Sequence, residues 1–286
     1  MSAGPIDVIE PGATWRRQLG RVPGGVGFGV VIALVLGTAV VVGPWLPWLP
    51  SPIEVNPTAA LESPSLAHPM GTDHLGRDLL SRFLHGGRVS LAIALGAVAL
   101  GGTFGTLLGL LAGFFGGRLD VTISWLVEVL LAFPGVLLAL AIITMLGAGP
   151  TNVAIAVGIA FVPSFTRVVR ASVLSVRERT FVEAAAAIGN PPMVVLLAHV
   201  LPNATRSVQV IATIGMGTAI LDAAALSFLG LGTQPPSPEW GAMLSSGAGM
   251  LRSGWWLTVF PGLGIFLAVL SVNLIGEGLM DRSPGR

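Results

Sequence analysis

Histidine and aspartate side chains share one polar stretch of the chain. His68 and His74 lie beside Asp73 and Asp78. Imidazole and carboxylate groups are ligand types that bind nickel or zinc. Their spacing, however, matches no compact metal-binding motif. The sequence therefore predicts no metal site, and we expect these histidines to pack within a loop.

The same stretch carries a charged group with helical spacing. Asp73, Arg77 and Asp78 stand at positions i, i+4 and i+5, which allows opposite charges to pair. Two roles fit this pattern. The three residues could brace the loop through ion pairs, or they could dock a protein that approaches from outside.

Two carboxylates interrupt otherwise apolar stretches of the sequence, Glu128 and Asp222. An ionisable group inside a membrane requires a partner or a wet cavity. For Glu128 we expect an ion pair with a nearby arginine, the candidates being Arg118, Arg167 and Arg170. Asp222 could line a wet path and bind an amino group, or it could hydrogen-bond between helices or contact another subunit.

Lysine and cysteine are both missing, and their absence excludes several classes of chemistry. All 15 basic residues are arginine, so there is no lysine for a phosphate-binding loop or a Schiff base. There is also no cysteine for a thiolate nucleophile or a zinc-thiolate site. With a net charge of +1, the chain lacks the basic character of a nucleic-acid-binding protein. We predict no catalytic residue, no enzyme activity and no cofactor on this chain.

Composition places these residues in a membrane protein. The 286 residues are 53% hydrophobic and 10% charged, against about 25% charged in ordinary soluble domains. Long charge-free runs meet the requirement of about 20 apolar residues for one crossing. We predict an all-α membrane domain with six transmembrane helices, over 26–45, 89–115, 121–146, 151–169, 207–230 and 256–277.

Arginine distribution predicts the orientation. Eleven arginines fall in the two tails and in segments 116–120 and 167–206, and four fall in the other loops. The side richer in arginine is the cytoplasmic one. We therefore predict cytoplasmic tails at 1–25 and 281–286, an outer loop at 46–87 and a membrane core at 88–280 with a cytoplasmic loop at 170–202.

Three polar segments have predicted local structure. In the outer loop, an apolar stripe ending at Gly86 and Gly87 predicts a short helix on the membrane surface. In the segment 234–240, Gln234 is followed by three prolines and Trp240, which predicts an interface anchor or else a gate or docking role. In the cytoplasmic loop, an Ala-rich helix meets Gly189 and restarts at Pro191 and Pro192, which predicts a helix, a sharp turn and a second helix.

Several motifs carry a resemblance to a known family. Glu183, Ala184 and Ala185, then Gly189, then a hydrophobic helix ending at Leu201 and Pro202 resemble the coupling loop of bacterial ABC-importer permeases. Four further segments resemble the C-type permease of the dipeptide/oligopeptide/nickel group, and the likeness covers residues 68–281. These segments are GTDHLGRDLLSR at 71–82, LLAFP at 130–134, LSFLGLGTQPPSPEWGAML at 226–244 and FPGLGIFLAVLSVNLIGEGL at 260–279.

The resemblance implies partners and roles. It implies a second homologous permease, two ATP-binding subunits that carry ATP and Mg, a substrate-binding protein, and a place in the bacterial cell membrane. The residues implied to contact an ATP-binding subunit are Glu183, Ala184, Ala185, Gly189, Leu201 and Pro202. Candidate path or gate residues are Asp222, Gln234 and Trp240, and candidate docking residues for the binding protein are Asp73, Arg77 and Asp78.

The function implied is ATP-driven import of short peptides by alternating access. A nickel or other metal-chelate cargo is the alternative within the same family. Outside the family, a stand-alone secondary transporter would need an ion relay, for which the chain offers two isolated acids. A membrane scaffold or receptor without transport is the remaining alternative.

Overall fold

A computed structural model describes residues 24–281, and within that range the chain is helical. The predicted tails therefore fall almost entirely outside the described residues. No strand ladder forms in this part of the chain, where the only β-type pairing is an isolated bridge between Thr72 and Asp78. We number the main helices in chain order as α1 Gly24–Val42, α2 Leu79–Phe115, α3 Gly117–Leu131, α4 Gly135–Leu146, α5 Pro150–Arg177, α6 Thr180–Ala187, α7 Leu201–Phe228, α8 Trp240–Gly247 and α9 Trp256–Asp281.

Five helices, α1, α2, α5, α7 and α9, are long and apolar enough to cross a membrane. The pair α3 and α4 passes the same test together, but it bends by 92° at the break. Counting this pair as one broken span gives the predicted six. The break coincides with Pro134, whose ring disfavours helical geometry in the residue before it. The continuous span predicted over 121–146 was wrong in this respect.

The predicted surface helix is instead the beginning of α2. The helix does not end at Gly86 and Gly87 but continues to Phe115. These glycines serve close packing: a Cβ on Gly87 would lie 2.5 Å from the Trp240 ring, and one on Gly86 would lie 3.2 Å from the Glu239 backbone. The prediction of a separate surface helix was therefore wrong, because a glycine can mark either a helix end or a helix contact.

The second helix of the cytoplasmic loop also continues further than predicted. A short turn at Pro192–Val194 and a π-helical segment at Val195–Val200 lead directly into α7. Leu201 keeps helical dihedral angles, with φ −55° and ψ −49°. The wider π-helical turn adjoins Pro202, which has no N–H to donate to the preceding turn. Leu201 and Pro202 therefore lie inside a continuous helix rather than at its end.

Glycines bring α2 and α5 together along most of their length. A Cβ on Gly101 would lie 2.6 Å from the Cβ of Phe161, and one on Gly109 would lie 2.7 Å from the Cβ of Val169. Small residues at four-residue spacing allow helices to approach closely in lipid. This contact forms the centre of the bundle, with α7 and α9 packed beside it.

Candidate functional site

The loop predicted to be cytoplasmic folds into an elbow, which we define as residues 180–200. Its first helix, α6, is amphipathic over two turns. Val182 and Ala185 are buried, whereas Glu183 and Ala184 are exposed. The buried side packs on a cluster of small apolar residues that joins the elbow to the ends of α5 and α7, made of Val169, Val173, Val176, Val195, Leu196, Val200 and Ala204. The elbow is thereby attached firmly to the membrane helices.

Gly189 makes the turn of the elbow. Its φ of +89° lies in the left-handed region, which residues with a Cβ rarely adopt. The Gly189 N–H donates to the Ala186 carbonyl at 3.0 Å, and the Asn190 side chain donates to the Ala185 carbonyl at 2.9 Å, so the end of α6 is capped. No atom lies within 4 Å of a Cβ placed on Gly189. The backbone conformation at position 189, and not a lack of space for a side chain, therefore favours glycine at this position.

The outward side of the elbow exposes apolar groups. Ile188 is 81% exposed, and Met193, Val194 and Leu197 are also exposed. The Glu183 side chain is exposed as well and lines a cavity of about 620 Å³ together with Arg177, Ala186 and Asn190, with no hydrogen-bond or ion-pair partner among residues 24–281. An exposed apolar patch of this kind marks a protein-binding surface. Of the six predicted coupling residues, Glu183, Ala184 and Gly189 are exposed in the elbow and Ala185 is buried beneath them, whereas Leu201 and Pro202 lie just beyond it at the beginning of α7.

The charged residues of the outer loop are buried and paired. Asp73 accepts from Arg77 Nε at 2.6 Å and from the backbone N–H of Leu75 and Arg77, and it lies 3.5 Å from Arg82 Nε. Arg82 also donates to the carbonyls of Pro52 and Pro236 at 2.8 Å and 3.2 Å. Asp73 and Arg77 thus brace the outer loop through ion pairs, which is one of the two roles predicted for them.

Asp78 has a local structural role too. One carboxylate oxygen caps the beginning of α2 by accepting from the Ser81 N–H at 2.8 Å, and the other lies 2.9 Å from His68 Nδ1. His74 makes no such contact within the described range. Across residues 24–281, no three His, Cys, Asp or Glu side chains come together in a way that could hold a metal ion.

Sequence reasoning missed a second buried network, centred on Glu239. This carboxylate caps α8 by accepting from the N–H groups of Gly241 and Ala242, each at 2.9 Å, and it accepts from Ser90 Oγ at 2.6 Å. A glutamate directly before a short helix was the available signal. Its partner Ser90 lies 149 positions away, and nothing in the sequence indicated that pairing.

Trp240 and Gln234 hold the segment between α7 and α8. Trp240 is fully buried, stacks on Phe83 at 5.3 Å and donates to the Phe83 carbonyl at 2.9 Å. The alternative that it anchors the chain at the membrane interface is therefore wrong. Gln234 is exposed and donates to the carbonyls of Gly230 and Gly232, which closes the turn after α7.

Asp222 and Glu128, the two acids within apolar helices, do not belong to a buried hydrogen-bond network. Asp222 is half-buried in α7 and has no polar partner among the described residues. Glu128 is exposed and lines a cavity of about 320 Å³ together with Arg167 and Arg170. Arg170 pairs instead with Asp120, its Nη2 lying 2.7 Å from Oδ2, and among residues 24–281 Glu128 forms no ion pair with any of its three candidate partners, Arg118, Arg167 and Arg170.

Comparison with known proteins identifies the family. Residues 105–284 match the family described as the binding-protein-dependent transport system inner membrane component. The dipeptide transport system permease DppC of Alkalihalophilus pseudofirmus is 42% identical over 98% of this chain and 92% of its own length. The glutathione transport system permease GsiD of Escherichia coli O157:H7 is 50% identical over 76% of this chain and 72% of its own length.

A solved structure agrees on the fold. An inward-facing form of the MetNI methionine ABC transporter superposes with a TM-score of 0.61 at 18% identity, over 73% of this chain and 98% of the other. Together with the elbow and the apolar spans, these matches decide the class of protein. The chain belongs to the family of inner membrane components of binding-protein-dependent transport systems, and it is a permease subunit of an ABC importer.

Proposed function

We propose that this permease imports short peptides. The relatives that it matches are named for dipeptide, glutathione and di/tripeptide transport. All three names denote peptides of two or three residues. The chain matches two of these relatives over more than four fifths of both lengths, which supports the same class of cargo. A nickel chelate remains the alternative cargo.

We further propose that the elbow binds an ATP-binding subunit on the cytoplasmic side. The observation that carries this proposal is the uncovered face of the elbow, which combines small Ala side chains, exposed Ile188 and one unpaired carboxylate, Glu183. Small side chains allow close approach of a partner, and a lone carboxylate favours a basic group on it. Both chain termini then lie in the cytoplasm, in line with the arginine distribution.

ATP and Mg would reside on two such partner subunits. This chain has no lysine with which to build a phosphate-binding loop. The energy for transport would therefore enter through the elbow, and no cofactor is proposed on the permease itself. A substrate-binding protein would deliver the peptide to the outer face, where the braced loop offers a rigid platform.

A second permease subunit would cover the broken span. At the break, Pro134, Gly135, Val136 and Leu137 are all exposed. The first N–H groups of α4 have no acceptor within their own helix. Irregular backbone is tolerated at membrane depth only where protein covers it or where it lines a wet cavity. A homologous permease with a translocation path between the two subunits satisfies that requirement.

Asp222 is the proposed path residue. Its carboxylate has no polar partner among the described residues, and it lies inside a membrane-spanning helix. A wet path would keep such a group hydrated, and the ammonium group of a peptide would bind it. Gln234 and Trp240 close the segment that follows the same helix and are proposed as part of the outer gate.

Reconstitution tests the function directly. The complete complex, with binding protein and ATP-binding subunits in proteoliposomes, is expected to accumulate a labelled dipeptide only when ATP is supplied. Uptake of a nickel chelate without dipeptide uptake would mean that the cargo is the metal chelate and not a peptide. Failure of the chain to co-purify with any ATPase would overturn the coupling proposal and favour a secondary transporter or a scaffold.

A further inference from the structure

Helix α1 leaves an apolar slot between itself and the core. The slot has a volume of about 390 Å³ and lies between α1 and α2, with α7 and α9 at its base. Its wall on α1 includes Ala33, Gly37 and Val41. No atom lies within 4 Å of a Cβ placed on Gly37, so the space beside this residue is open.

The slot opens toward lipid. Val41 on one rim is 59% exposed and Leu95 on the other is 62% exposed. From Ala33 to Val41, the wall on α1 runs about 12 Å along the helix axis. One leaflet of a bilayer has a hydrocarbon depth of about 15 Å. The slot therefore extends through most of a single leaflet.

A cation stands at the mouth of the slot. Arg88 lines it, and the guanidinium group lies 5.7 Å from the centre of the Trp45 ring. Trp45 is 75% exposed just beyond α1, where aromatic side chains mark the membrane interface. Among residues 24–281 no carboxylate pairs with Arg88. The mouth thus offers an unneutralised positive charge at the depth of lipid phosphates.

We propose that one phospholipid occupies this site, with its phosphate on Arg88 and one acyl chain in the slot. The charge at the mouth complements a phosphodiester, and the apolar walls match an acyl chain in both polarity and depth. An unfilled slot would forfeit the dispersion contacts of its walls. The bound lipid would add contacts between the outer half of α1 and the core, beside the direct contact that buried Val40 makes there with Gly87.

The inner half of α1 needs no such filling. There Gly29 packs directly on α9, and a Cβ on Gly29 would lie 2.7 Å from the Cβ of Leu274. Gly27, on the same helix, is exposed, and a Cβ there would meet nothing within 4 Å. It does not line the slot. Gly27 therefore provides a matched control for changes at Gly37.

Photo-cross-linking tests the proposal in the complete complex. The probe is a phosphatidylglycerol with a diazirine in one acyl chain, diluted into phosphatidylcholine vesicles that contain the transporter. We expect cross-links on segments 33–41 and 88–95. Gly37→Phe should reduce them to background, whereas Gly27→Phe should leave them unchanged. A diacylglycerol probe, which lacks the phosphate, should label these segments about fivefold less, and Arg88→Gln should remove that difference.

Three results would overturn the proposal. The first is equal labelling of the slot and of the exposed face around Val30 and Val31, which would indicate ordinary surrounding lipid only. The second is unchanged labelling in Gly37→Phe or in Arg88→Gln. The third is a photoreactive side chain at position 37 that captures the second permease, which would mean that protein covers the slot.

Discussion

The elbow and a second region, the outer cap, which we define as the loop 46–87 and the segment 234–240, contain polar groups in opposite environments. In the cap, Asp73, Arg77 and Glu239 are buried, and each meets partners from its own chain. In the elbow, Glu183 is exposed without a partner among the described residues, and the apolar side chain of Ile188 is exposed too. A network complete within one chain supports the fold, whereas an incomplete one indicates a surface that another subunit completes. The two regions should therefore respond differently to mutation.

The largest effect is expected in the cap. Asp73→Ala would leave Arg77 and Arg82 buried without a counter-charge, which costs about 3–5 kcal/mol. We expect a marked loss of thermal stability and of folded protein in the membrane, measured on the purified permease complex. Glu54→Ala changes an exposed carboxylate of the same loop and should behave like the unaltered protein. Equal stability of the two variants would mean that the buried network contributes little.

A smaller effect on stability and a large effect on assembly are expected at the elbow. Glu183→Arg should keep the fold, because this side chain is exposed, but should place a like charge against the basic group proposed on the partner. We expect weakened binding of the ATP-binding subunit, by about 2 kcal/mol, in co-purification at increasing salt. A photoreactive residue at position 183 should cross-link to that subunit. Capture of lipid or of the permease alone would remove the coupling assignment.

The turn of the elbow offers a sharper test. Gly189→Val would strain a backbone with φ +89° by about 2 kcal/mol. We expect normal membrane insertion and continued ATP hydrolysis, but little peptide uptake. Gly189→Asn is the matched control, since Asn tolerates the left-handed region better than Val does. Normal uptake by a well-expressed Gly189→Val complex would contradict a role for this turn in coupling.

The smallest effect is expected at Asp222. Asp222→Asn is nearly isosteric and should not disturb the fold. It should reduce uptake of peptides with a free amino end by about fivefold, since it removes about 1 kcal/mol of charge attraction in a hydrated path. Uptake of N-acetylated peptides provides the comparison. If Asp222→Asn transports normally and Asp222→Ala disrupts assembly, the residue hydrogen-bonds between helices and does not line the path.

The spans and the elbow could be predicted because their signals are local. Charge-free runs set the spans, and the glycine and the two prolines within four positions of one another set the turn at Gly189. The family resemblance rested on continuous motifs as well, and residues 105–284 match the corresponding family. Features of this kind depend on neighbouring residues, which a single sequence displays directly.

The errors arose where one residue type serves two purposes. Gly86 and Gly87 were predicted to end a helix, but they admit Trp240 and Glu239, which lie some 150 positions further along the chain. Pro202 was predicted at a helix end but lies within one, next to a π-helical turn. In each case a distant contact or an unusual helical turn decided the outcome, and neither leaves a distinct pattern in the sequence.

The glycine row of α2 has a mechanical consequence. Where Gly101, Gly105 and Gly109 meet α5, the two main chains touch with few side-chain rotors between them. Such a contact leaves little room for the helices to slide or for side chains to repack, so we expect the two helices to move together as one rigid body. Val169 and Val173 connect one end of this helix pair to the elbow. A displacement of the elbow would therefore reach the outer cap as a rotation of the whole helix pair and would not be absorbed within the membrane.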